Sequence, residues 1–416
     1  MSNSEERLSS EYAENGKKKG ITAEAVFILF SILVLSLNLR APITGASAVM
    51  DVISKDLGIN ETYSGFVMTV PLIAFAISSV FVSNLGIKYG YTKVTFISII
   101  LMIVGEVIRV SAGFKALLLG TAFLGLGISA GNVLIPSIIK LKFPNRLGLV
   151  TGLYGVFMNL ISASFTGSSL YLVTQKGVPW RTMLSVWLIT SVASLILWSV
   201  NLFVRKDLMH DNRDTRNIFE RLDIFKSKIA WAIIIYMGSQ SFLFYTTVTW
   251  LPKILNMKGF GYDFASVMLT VFQMSALPLS FLIPLIADRM KNQKVMAVFA
   301  AMGYLLGYIG LMFGSTKAQI AVSMFIMAIG CSGTYAAAII LMELRSRTSH
   351  TVAIISGVSQ AIGYIIAAIG PVLLGYLFSN TEGYVFPVLI LIIISVFLVT
   401  AGVIGGRSGY IDDVNK

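Results

Sequence analysis

Twelve apolar runs recur between residues 25 and 405, each divided from the next by a short stretch that carries the charge. A hydrocarbon slab roughly 30 Å thick asks for about 20 apolar residues per helical crossing, and only a helix or a closed barrel can satisfy every backbone polar group inside it. The runs have the length that such crossings demand, so the expectation is an all-α integral membrane protein. The expected spans are 25–50, 61–84, 94–112, 116–140, 147–172, 181–204, 228–252, 262–287, 294–314, 318–342, 351–377 and 384–405. A content of 56% hydrophobic and 12% charged residues, with a mean hydropathy of +0.81, excludes an ordinary soluble domain.

Lys and Arg in the loops predict the orientation. With both termini inside, 23 of the 32 basic residues fall on the cytoplasmic side and 7 on the outer side. Arg40 and Arg109 are left within spans. The formal charge of +12 is then a topology signal and an attraction to anionic lipid rather than a nucleic-acid footprint. The polar head, with Lys17, Lys18 and Lys19 before a first span too long for a signal h-region, reads as a disordered cytoplasmic tail.

Catalytic and metal chemistry find no support. The only cysteine, Cys331, falls inside the tenth span, and His210 and His350 are expected in cytoplasmic loops. No cofactor is expected, and no P-loop is present for direct coupling to ATP.

Arg40 is the residue that points to function. It sits near the middle of the first span with no carboxylate within ten residues, and a guanidinium at that depth costs at least ~2.5–3.5 kcal/mol and keeps its proton. Such a group persists where it faces a partner, a wet cavity or a ligand. Pro42 removes a backbone donor two residues later, and Gly45 adds freedom, which predicts a loosened helix beside the charge. Two readings stand: contact with an anionic solute, or a bond to a neighbouring helix.

The chain also repeats itself. A shift of 201 residues lays Tyr63–Val70 over Phe264–Val271 and Lys88 through Lys93 over Arg289 through Lys294. A shift of 203 pairs Gly127 with Gly330 and Asn132 with Tyr335. After a slip of two residues, Gly152 meets Gly357 and Asn159 meets Tyr364. Two six-span halves in the same orientation are the parallel-repeat plan of carriers that bind solute between the halves.

Particular stretches carry a family resemblance. The loop Ser83–Lys93 keeps Gly90, Lys88 and Lys93 of the major facilitator signature but has Ile87 where an aspartate would stand. Its counterpart, Ile286–Lys294, retains the pair Asp288-Arg289. Asn38 through Thr44, Gly125 through Pro136, Lys140 with Phe143-Pro144, and Thr151 through Tyr154 resemble the cyanate/nitroimidazole transporter (CynX/NimT) branch of the major facilitator superfamily. The resemblance implies a major facilitator fold of twelve transmembrane helices in two pseudo-symmetric six-helix bundles. It also implies secondary transport of a small solute, and a latching role for Asp288, Arg289 and Lys88.

On that plan the expected organisation is a cytoplasmic tail at 1–24, bundles at 25–204 and 228–405, a cytoplasmic linker at 205–227 and a second tail at 406–416. Arg40, Asn38 and Thr44 are candidate solute contacts. The pseudo-symmetry adds Asn132, Asn159, Tyr335 and Tyr364, and the seventh and eighth spans add Gln240, Tyr245 and Gln273. Glu106 and Arg109 share a helix face. They read either as a structural pair, with Arg109 near enough to the outer end to snorkel, or as a proton-linked switch. The expected function is alternating-access transport of a cyanate-like anion, small carboxylate or azole by a monomer in the cell membrane, with possible proton coupling. A channel-like carrier and a multidrug exporter of the same fold are the alternatives.

Overall fold

The structure is a computed structural model that describes residues 23–59, 61–204, 224–290, 292–380 and 383–413. Most of the expected N-terminal tail and the greater part of the 205–227 linker lie outside the described residues. Helix dominates throughout, and no strand occurs among the described residues. Eleven helical segments are long and apolar enough to cross a membrane, or twelve when the bent pair Thr69–Ser79 and Phe81–Tyr89, inclined at 45°, counts as one span.

The N-terminal bundle comprises α1 (Ala23–Ser36) with α2 (Ala41–Ala48), α4 (Glu61–Tyr89), α5 (Tyr91–Ser111), α6 (Phe114–Lys142), α7 (Leu147–Gln175), and α8 (Trp180–Ser185) with α9 (Trp187–Ser199). The short α3 (Met50–Leu57) caps it and ends on Gly58, whose φ of 62° suits a residue without Cβ. The C-terminal bundle comprises α10 (Lys228–Met257), α11 (Tyr262–Met274) with α12 (Leu277–Arg289), α13 (Lys294–Phe313), α14 (Lys317–Leu344), α15 (Ser349–Asn380) and α16 (Val385–Gly405).

The first span is broken for a reason the sequence contains. Pro42 has no N–H to offer the carbonyl of Asn38, so the ladder lapses and the chain tightens through Asn38 N–H to Leu35 O at 2.9 Å before α2 begins. Arg40 therefore leaves the end of a turn. The eighth span lapses likewise at Ser275 and Ala276, where Pro278 stands at the start of α12.

The repeat appears in the packing. Gly127 lies against Ser98 and Met102 of α5, and its equivalent Gly330 lies against Tyr304 of α13. Gly152 lets α7 of one bundle approach Phe281 of α12 in the other, and its equivalent Gly357 lets α15 approach Ser79 and Ser83 of α4. A Cβ at either position would stand within 3.0 Å of the facing helix, so these glycines permit the two lateral seams between bundles. Ser83 Oγ also donates to Ala353 O across a seam at 2.8 Å.

These seams lie toward the end of the molecule that carries the basic loops, called here the basic end. At the other end of the N-terminal bundle a separate apolar cluster, including Val49, Ile53, Leu117 and Leu184, packs within that bundle. The segment after α16 is docked rather than a free tail: Ile411 is buried and its N–H donates to Arg345 O, Arg347 pairs with Asp413 at 2.9 Å, and Thr351 donates to Asp412. His350, expected in a solvated loop, is buried in the first turn of α15.

Candidate functional site

A cavity of about 490 Å³, including its open mouth, lies between the bundles at the depth of Arg40. Seven of the residues expected from sequence surround it: Arg40, Thr44, Asn132, Gln240, Tyr245, Tyr335 and Tyr364. Leu39, Ile43, Phe75, Met158, Ser241 and Phe244 complete the lining. The sequence reading missed these six, because an apolar or small side chain on a membrane helix looks the same whether it faces lipid, a neighbour or a pocket.

Arg40 is held on two sides. Its Nη1 donates to Asn159 Oδ1 at 2.6 Å, and its guanidinium carbon lies 3.9 Å from the ring centroid of Phe244 and 5.9 Å from that of Tyr335. Asn159 thus acts on the site through the arginine. Among the described residues no carboxylate pairs with Arg40. The walls are aromatic: Phe75 and Tyr364 stand 4.8 Å apart between centroids, Phe244 and Tyr245 5.2 Å, and Tyr245 and Tyr364 6.4 Å. Thr44 and Ser162 share a hydrogen bond of 2.9 Å at one edge.

Asn38 stands elsewhere. It is fully buried and faces α9, donating to Ser194 Oγ at 3.2 Å and accepting from Thr190 and Ser191. Asn38 fastens the broken turn rather than lining the cavity. Gln273 is half-buried on α11 and is likewise absent from the lining.

Glu106 and Arg109 are both buried, and no direct ion pair between them occurs among the described residues. Arg109 does not snorkel. It turns inward and donates to Pro42 O at 2.8 Å and to Leu184 O at 2.9 Å, while Glu106 accepts from Ser191 at 2.9 Å. Asn38 and Pro42, two residues to either side of Arg40, are therefore gripped by one polar cluster from α5, α8 and α9. That grip fixes where the guanidinium points.

At the basic end, Asp288 and Pro284 of α12 lie against Gly148 of α7 in the other bundle. Arg289 and Lys88 make no described ion pair, and Lys88 is exposed beside Tyr89. A different carboxylate crosses the seam: Glu343, fully buried near the end of α14, accepts from Thr151 Oγ1 of α7 at 2.8 and 3.0 Å. Its place at the end of a span gave no sign of this partner in the sequence.

Residues 26–371 match the Major Facilitator Superfamily. The chain is 34% identical to an uncharacterized transporter, YycB, of Bacillus subtilis (strain 168), over 94% of this chain and 96% of that one. It is 28% identical to the 2-nitroimidazole transporter of Escherichia coli (strain K12), over 92% and 96% of the two chains. It is 23% identical to the cyanate transport protein CynX of the same organism, over 86% and 91%. Among solved structures, the proton:xylose symporter XylE superposes with a TM-score of 0.74 at 13% identity, covering 94% of this chain and 98% of that one.

Proposed function

The chain belongs to the Major Facilitator Superfamily, in its cyanate/nitroimidazole transporter branch, and from that premise we propose that this transporter carries a small monoanionic or strongly dipolar planar solute held by Arg40. The observation that carries the reading is the state of Arg40. It is a guanidinium at a cavity between bundles, with one nitrogen engaged by Asn159, one face covered by Phe244 and no described carboxylate to neutralise it.

One fixed charge balances one negative charge, so a monoanion or an azole suits the site better than a phosphate ester. The aromatic walls favour a flat solute, which can lie against a ring without leaving gaps. A relative that transports 2-nitroimidazole and another that transports cyanate are consistent with both properties.

Residues 25–204 and 228–405 are the two bundles that rock about this site, with the basic end and both termini in the cytoplasm. The seams at Gly152 and Gly357 belong to the state closed on the cytoplasmic side. Glu106 and Arg109 act chiefly by holding the broken first span, since every partner described for them lies in the N-terminal bundle. Asp288 serves as a seam contact at the cytoplasmic gate. The carrier works as a monomer.

Uptake into proteoliposomes tests the proposal. Labelled cyanate, benzoate, 2-nitroimidazole and a neutral sugar are offered with and without an imposed proton gradient. Entry of a small anion or azole and exclusion of the sugar is expected; preference for the sugar would overturn it.

A further inference from the structure

Glu343 is a buried carboxylate that the solute site does not use, and it is bonded across the seam. Both its oxygens lie within 3.0 Å of Thr151 Oγ1, so a group on α14 of one bundle is tied to α7 of the other. The charged and titratable groups in its field are Lys140 at the end of α6, Asp288 on α12 and Tyr154 one turn beyond Thr151 on α7. Lys140 and Asp288 bring opposite charges to its surroundings.

Tyr154 also links this group to the cavity. It donates to Asn132 Oδ1 at 3.2 Å, and Asn132 lines the solute cavity. Tyr154 therefore stands between the cavity, through Asn132, and Thr151 one turn before it on α7.

A carboxylate can couple proton movement to rocking only if its surroundings differ between the two states. Parting the bundles at the basic end must break the Thr151 bond and admit water to Glu343. The bonds described for Glu106, by contrast, lie inside one bundle and survive the motion. We infer that Glu343 is the proton-binding group of the cytoplasmic gate, loaded or unloaded as Thr151 parts from it, and that it links proton movement to alternating access.

The test needs no solute, so it stands apart from the identity of the cargo. Nitroxides are placed at Asn145→Cys and Asn292→Cys, exposed positions at the basic end of opposite bundles, in a Cys331→Ala background in lipid nanodiscs. Electron–electron distances are then recorded across pH. The populations of the short and long distances should shift with pH in the parent and in Glu106→Gln, and Glu343→Gln should lose that shift. A parent indifferent to pH, or a Glu343→Gln protein that keeps the parent's response, would overturn the inference. Should Glu343→Gln fail to fold, Thr151→Val keeps the carboxylate and removes its donor. The short-distance population should then fall while the pH response persists at a displaced midpoint, and parental populations at every pH would contradict the assignment.

Discussion

The guanidinium carbon of Arg40 lies 3.9 Å from the ring centroid of Phe244, and the two residues belong to different bundles. The contact joins the one charged side chain among the described cavity lining to a wall contributed by the other bundle. A cation over a desolvated aromatic face is stabilised by about 0.5–2 kcal/mol. Phe244→Leu keeps bulk and loses the quadrupole, so solute affinity should weaken between about twofold and thirtyfold. Titration calorimetry of the purified variant checks this, and unchanged affinity would remove Phe244 from the site.

The seams make a prediction about shape. A Cβ at Gly148 would stand 2.6 Å from the Cβ of Asp288 and closer still to the carbonyl of Pro284, both on the facing helix. Overpacking of this kind costs about 1–3 kcal/mol. Gly148→Val should destabilise closure at the basic end while leaving each bundle folded, and spin-label distances between Asn145 and Asn292 should lengthen. A distribution identical to the parent would mean that this seam does not hold the gate.

Arg109 predicts a stability effect. Arg109→Met would leave the carbonyls of Pro42 and Leu184 without their buried donor and Glu106 without a nearby cation. Each lost buried bond costs about 1–3 kcal/mol, so the thermal midpoint in detergent should fall by several degrees. Solute binding should fall with it, because Pro42 stands two residues from Arg40. A variant as stable as the parent would contradict the clamp.

Asp56, outside the spans on α3, accepts from Trp180 Nε1 at 2.9 Å and from Arg181 at 3.0 Å. These bonds, Trp180's first, lower its carboxyl pKa from the ordinary aspartate value. A depressed folded value means that the contact is complete above the unfolded value and is lost as pH falls through the folded one. The tryptophan fluorescence change lost in Asp56→Asn should have its midpoint below that of a free aspartate. A midpoint at or above the free value, or a transition that persists in Asp56→Asn, would count against the contact.

Much of the architecture was legible because lipid leaves few choices. Apolar runs long enough to cross a bilayer must be helices, and helices overlap every predicted span among the described residues. The repeat was legible because equivalent glycines do equivalent jobs: Gly152 and Gly357 sit on opposite lateral seams. Arg40 stood out because its cost in a span demands a cause.

The rest depends on which way a side chain faces. Asn38 and Asn159 are both polar and near the midplane, yet one fastens the first span to α9 and the other holds Arg40. Phe75 and Phe244 carry no sequence signal that separates a cavity wall from a lipid-facing ring. Glu343 ends the tenth span, and nothing in the sequence pairs it with Thr151 of the other bundle.

The central claim, that Arg40 recognises the solute through charge and fork geometry, is tested by measuring solute binding and uptake in purified, folded Arg40→Lys and Arg40→Ala proteins. Lysine keeps the charge but not the planar donor array that engages Asn159 and covers Phe244, so Arg40→Lys should weaken binding about tenfold or more, near 1.4 kcal/mol. Arg40→Ala should abolish solute uptake while the protein still folds, since losing an intramembrane charge lowers the cost of insertion. Near-normal affinity in folded Arg40→Ala would contradict the account and move recognition to Asn132, Gln240, Tyr335 and Tyr364.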